Sequence, residues 1–131
     1  MIAIGDDRTT IHLTRGDGTH EDYNNLAIHF PIIVDDEETL YEFQPGDKLR
    51  FTVFNKKDYL GKEILTKEYT ITEPTEAPSI VLTSTDTKLL EQANKKITYW
   101  YDIVLNNDTT LLGMDDKGAK KLIVYPESEE E

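Results

Sequence analysis

The sequence predicts an all-β domain: a two-sheet sandwich of about seven or eight short strands with one short helix. Three observations carry this expectation. Apolar and polar residues alternate in at least five segments, the period of a half-buried strand. Clusters of Pro, Gly, Asn and Asp separate those segments at the spacing of a sandwich. No repeat period and no internal linker divides the 131 residues, so residues 1–126 read as one domain and 127–131 as an acidic tail.

The elements follow in order. Thr10 to Thr14 puts Ile11 and Leu13 on one side. Ala27 to Val34 puts Ile28, Phe30, Ile32 and Val34 on one side, and Pro31, lacking an N–H, marks an edge or a bulge. Tyr41 and Phe43 lead into Gln44-Pro45-Gly46-Asp47. Pro45 presets φ and Gly46 accepts a positive φ, which predicts a type II turn. Lys48 to Phe54 continues with Leu49, Phe51 and Val53 inward and Phe54 partly covered on the other face. Asn55 to Lys62 reads as a hairpin loop, Glu63 to Thr72 as a strand with Leu65, Tyr69 and Ile71 in phase, and Glu73 to Pro78 as a loop.

Ser79 to Thr83 reads as a short strand. Ser84 to Gln92 is the helix candidate, of one or two turns, capped by Ser84 or Asp86 and packed through Leu89 and Leu90. Ile97 to Leu105 is the strongest strand, with Ile97, Tyr99, Tyr101, Ile103 and Leu105 alternating without a break. Asn106-Asn107-Asp108 is a turn. Thr109 to Leu112 and Lys120 to Tyr125 are the last strands, joined through Asp115-Asp116-Lys117-Gly118, and Pro126 ends the pairing.

Composition narrows the function classes. Hydrophobic residues make up 37 %, clustered enough to build a core without disulfide or metal. The net charge of −12 repels phosphate backbones and anionic bilayers, so neither nucleic acid nor membrane is an expected partner. An acidic decoy for a DNA-binding protein is compatible with that charge, although solubility is its plainer reading. There is no cysteine, which removes disulfides, thiolate metal sites and Cys nucleophiles. No apolar run reaches membrane-spanning length, and Met1 to Asp7 lacks the basic start and apolar segment of a signal peptide. Folding in a cytoplasm is the expectation.

No catalytic constellation stands out, and the expectation is a non-enzyme without a cofactor. His12, His20 and His29 lack metal-ligand spacing; His12 and His29 could meet across paired strands as a zinc site, but surface imidazoles are the simpler reading. Ser79, Ser84 and Ser128 lie in no nucleophile elbow, and Gly16 and Gly18 sit beside an Asp-rich turn that would repel phosphate. Asp6-Asp7, Asp35-Asp36-Glu37-Glu38 and Asp115-Asp116 read as solvated turns rather than calcium loops. Arg15-Gly16-Asp17 spells an integrin-binding tripeptide but is ordinary turn chemistry, and Asn107-Asp108-Thr109 is a glycosylation pattern with no secretion signal to use it. Trp100, Tyr59 and Tyr23 are the candidate interaction anchors, since aromatic side chains dominate binding hot spots. Trp100 alternates against the tyrosines of its strand; it faces a partner or covers the sheet within the monomer.

The order of elements resembles a known family. Its marks are Leu13-Thr14-Arg15-Gly16-Asp17, then Tyr41-Glu42-Phe43-Gln44-Pro45-Gly46-Asp47-Lys48-Leu49-Arg50-Phe51-Thr52-Val53. A Lys-rich hairpin, a helical turn after Leu82-Thr83, Tyr99-Trp100-Tyr101-Asp102-Ile103-Val104-Leu105 and Leu122-Ile123-Val124-Tyr125-Pro126-Glu127 follow. From Ile11 to Glu127 the chain resembles the N-terminal immunoglobulin-like domain of upper baseplate proteins of phages and prophages of Gram-positive bacteria. The resemblance implies an immunoglobulin-like sandwich and a non-enzymatic virion role: docking to other tail or baseplate proteins, with no cofactor and self-association left open. It implies synthesis in the bacterial cytoplasm and residence in the virion. The alternative is a β-sandwich binding module for a carbohydrate or a host protein.

Overall fold

The structure, a computed structural model, describes residues 1–20, 22–56, 62–113 and 118–127. Among these residues nine strands form: β1 (Ile2–Ile4), β2 (Ile11–Thr14), β3 (Pro31–Val34), β4 (Glu37–Leu40), β5 (Lys48–Phe54), β6 (Glu63–Thr70), β7 (Ile97–Leu105), β8 (Thr109–Leu112) and β9 (Lys120–Tyr125). One helical turn, α1 (Ser84–Thr87), lies between β6 and β7. The chain is nearly all β, as the alternation predicts.

The main sheet runs β1-β2-β9-β7-β5-β6. Its long central strand, β7, has β5 on one edge. On the other edge β9 pairs with Ile97 to Tyr101, and β8 takes over at Ile103 to Leu105. The β2–β9 pair is parallel and brings the beginning and end of the fold side by side. Inward positions follow the two-residue period: Ile11, Leu13, Phe51, Val53, Ile103 and Leu122 have no exposed surface. Phe54, on the opposite face, is also buried.

The second layer of the core is mostly irregular. Leu26, Ile28, Phe43, Ile80, Leu82 and Leu90 join the same apolar cluster, but among the described residues their segments form no strand ladder, meeting at isolated bridges, Ala27↔Ser79 and Phe43↔Thr75, and at single bonds such as Thr19 N–H to the Leu82 carbonyl. The expected strand from Ser79 to Thr83 is therefore replaced by an extended segment. It keeps the alternation, with Ile80 and Leu82 buried and Val81 half exposed, and bonds through Ile80 N–H to the Leu26 carbonyl. The arrangement of a large mixed sheet, a small second sheet and this covering layer is compatible with a sandwich.

The small sheet corrects the expected strand from Ala27 to Val34. Only Ile28 of its four apolar positions is buried, while Val34 is 48 % exposed. The chain leaves the core after Phe30, whose carbonyl accepts from Tyr41 N–H, and Pro31 opens a separate hairpin of β3 and β4. Asp35 and Asp36 turn it, both with positive φ (52° and 64°), as a type I′ turn requires. Only half of the acidic cluster is a turn; Glu37 and Glu38 belong to β4.

The helix is shorter than its candidate segment, and its cap lies one residue earlier. Thr83 accepts from Asp86 N–H, and the Asp86 carboxylate accepts from Thr83 N–H, a reciprocal capping box. Leu90 is buried, whereas Leu89 is 57 % exposed and packs nothing down.

The Pro45-Gly46 turn forms as expected. Gly46 has φ +96°, and Asp47 N–H donates to the Gln44 carbonyl at 3.0 Å. Asp47 accepts in turn from Gln44 N–H, Tyr41 Oη and Asn106 Nδ2, and the Gln44 bond holds its carboxyl below the usual range. A Cβ at Gly46 would meet no atom within 4 Å, so the cost of a side chain there is purely conformational. Gly46→Val should therefore destabilise by about 1–2 kcal/mol through left-handed strain. An unchanged denaturation midpoint would show that the turn tolerates a β-branched residue.

Glu127, expected as the first residue of the tail, is docked against the fold. Arg15 Nη1 pairs with Glu127 Oε2 at 2.6 Å, and Glu127 N–H donates to Gln92 Oε1, because the parallel β2–β9 pair delivers both chain segments to one place. Residues 128–131 lie outside the described residues, as do residues 114–117 of the expected link before Gly118.

Candidate functional site

A cleft of about 740 Å³ opens where four distant segments converge. The turn from Gly5 to Thr10 supplies Gly5, Arg8 and Thr9, and Ile4 of β1 adjoins it. The irregular segment before the hairpin supplies Asn25, Ala27, His29 and Phe30, and the hairpin adds Pro31, Glu38 and Leu40. Leu112 of β8 completes the lining. Leu26 and Ile28 point to the core while Ala27 and His29 line the cleft, so one extended segment serves both sides. This mixture of an apolar lining and few polar groups is the usual make-up of a small-ligand site.

The turn beside the cleft is cross-braced. Gly5 N–H donates to the Thr10 carbonyl at 2.8 Å, and Arg8 N–H to the Gly5 carbonyl at 2.9 Å. Asp7 accepts from Thr9 N–H, Thr10 N–H and the Thr10 hydroxyl, and these bonds, the hydroxyl's foremost, lower its carboxyl to about 2. The turn is fixed from the core as well, because Tyr101 Oη donates to the Thr9 carbonyl. Arg8 sits in this frame with φ +63°. Asn24, Asp35, Asp36, Asn106 and Asn107, the other described non-glycine residues with positive φ, are all Asn or Asp. An Arg at such a position costs about 1–2 kcal/mol in local sterics relative to Gly. Among the described residues its guanidinium makes no ion pair or hydrogen bond.

Of the three expected anchors the structure places two, Trp100 and Tyr23, on different elements. Trp100 is half buried on the face of β7 opposite the core, in register with Phe54 and Lys121. Two residues on, one oxygen of Asp102 is buried without a hydrogen-bond partner, and burial raises its carboxyl above the usual range. Tyr23 is 62 % exposed and stacks on the His20 ring at 4.3 Å. Tyr59 lies outside the described residues.

Two further candidates, His12 and the Arg15-Gly16-Asp17 tripeptide, make structural contacts. His12 Nδ1 lies 3.1 Å from Tyr125 Oη, and His29 is exposed in the cleft; among the described residues no group of three potential ligands could hold a metal. The Arg15-Gly16-Asp17 tripeptide is a structural corner. The Arg15 guanidinium donates to the Lys88 and Leu90 carbonyls and to Glu127, while Asp17 pairs with the Met1 amino group. Gly16 has φ +91°, and a Cβ there would lie 2.6 Å from Glu127 Oε1.

Sequence reading missed Arg8, Asn25, Phe30, Glu38 and Leu112 as site residues. The one local signal was Arg8 itself, a long cation where the turn after Gly5-Asp6-Asp7 favours Gly or Asn. The chain matches no protein-family model, no curated protein and no solved structure.

Proposed function

We propose that this domain works by docking to another protein, as a tail- or baseplate-associated structural component of a phage or prophage. The observation that carries the docking part is the β3–β4 hairpin. It forms its own two-stranded sheet, neither outer edge has a strand partner among the described residues, and Ile33 and Val34 are 68 % and 48 % exposed. Open edges with exposed apolar side chains recruit other chains. The phage assignment rests on the resemblance of the chain from Ile11 to Glu127. A second reading, a module binding a carbohydrate or a host protein, draws support from the cleft, although Phe30 is the one Phe, Tyr or Trp among its described lining residues.

The test is co-purification with tail or baseplate proteins from the same gene cluster, with mass spectrometry of intact virions. Both should contain the domain. Replacing Ile33 and Val34 together by Asp should abolish co-purification at an unchanged melting temperature. Absence from virions, with saturable binding of a sugar or a host protein, would favour the second reading.

A further inference from the structure

We infer that the cleft between the Gly5–Thr10 turn and the β3–β4 hairpin binds a small apolar molecule carrying a single carboxylate, anchored by Arg8. This inference does not rest on the docking reading: neither Ile33 nor Val34 lines the cleft, although Ile33 stands opposite Glu38 on the hairpin face that does. Ile4, Ala27, Phe30, Pro31, Leu40 and Leu112 would take the apolar body. Burial of that body supplies affinity, and the polar groups select the head.

Arg8 sets the charge. A turn residue chosen for conformation alone would be Asn, Asp or Gly, as at every other described left-handed position of this chain. Arg8 breaks that pattern, and its guanidinium is free of hydrogen bonds and ion pairs among the described residues although Asp6 and Asp7 precede it. A residue that violates local preference without structural compensation marks a site used for something else. A guanidinium presents paired donors that match a carboxylate in two parallel bonds. His29, also in the lining, adds a donor, while Glu38 sets a limit. With Glu38 in the lining and a net charge of −12, a dianionic phosphate is opposed more strongly than a monoanion.

Decanoate, used below its micelle concentration, is the probe, with decanol as the uncharged control. Titration followed by amide chemical shifts should show saturable one-to-one binding of decanoate, with shifts at Ala27, His29 and Leu112. Decanol should bind at least tenfold more weakly. Arg8→Gly should weaken decanoate at least tenfold while the melting temperature stays level or rises, because glycine suits the left-handed backbone. Glu38→Gln should tighten decanoate. No saturable binding of decanoate would overturn the proposal. Equal binding of acid and alcohol, or undiminished binding by Arg8→Gly, would overturn the carboxylate anchor.

Discussion

Ile103→Ala should destabilise the domain by about 2–5 kcal/mol, the range for truncating a buried Ile to Ala. Ile103 has no exposed surface and is paired on both sides. Its strand neighbours are Phe51 of β5 on one side and Leu112 of β8 on the other. The Phe51 and Tyr101 rings, 5.5 Å apart, pack beside it on the same face. Rings braced in this way cannot collapse into the space left by three lost carbons, so a cavity term adds to the lost transfer energy. Small domains have about 5–15 kcal/mol to lose, so the denaturant midpoint should fall steeply at an unchanged slope. A stability within a few tenths of a kcal/mol of the parent would mean that β7 is out of the register described.

The same strand shows what the sequence makes legible. β7, β8 and β9 carry an unbroken two-residue alternation or a flanking turn, and their limits agree with those read from the residues. One-sided burial writes that pattern, since a slip of one position would turn every apolar side chain to water. Elements without one-sided burial are not legible in this way. β4, Glu-Glu-Thr-Leu, looks like a solvated turn because almost nothing on it is buried; the Asp35-Asp36 turn folds it back on β3. β1 is three residues long, too short to show a period. The segment from Ser79 to Thr83 has the alternation of a strand but meets its neighbour at one bridge, to Ala27, and alternation reports burial rather than pairing.

The cleft was less legible than the core. Its lining comes from residues 4–9, 25–31, 38–40 and 112, and no local pattern joins them. Two facts assemble it. β1 folds back on β2, which presents the Gly5–Thr10 turn, and the chain leaves the core at Pro31, which raises the hairpin as a wall. Neither is visible in periodicity. The aromatic residues chosen from composition scatter instead, Tyr23 to a loop and Trp100 to the outer face of the sheet. Aromatic content alone carries no information about convergence.

Thr87→Val should cost about 1–3 kcal/mol, more than Thr87→Ser, which removes a methyl and keeps the hydroxyl. Thr87 is completely buried at the end of α1. Its Oγ1 accepts from Gly16 N–H at 2.9 Å and donates to the Asp17 carbonyl at 2.8 Å, so one hydroxyl ties the helical turn to the corner after β2. Valine fills much the same space and satisfies neither group. The Gly16 N–H and the Asp17 carbonyl would then be left without their partner in a partly buried site, where the loss exceeds the modest net value of a made bond. The corner matters because Arg15, its first residue, holds Lys88, Leu90 and Glu127. Loosening it should therefore reach beyond Thr87: amide exchange at Gly16 and Asp17 should accelerate in Thr87→Val and remain slow in Thr87→Ser. If the serine variant proved the less stable of the two, packing of the Thr87 methyl, and not its hydroxyl, would be what joins the helix to the sheet.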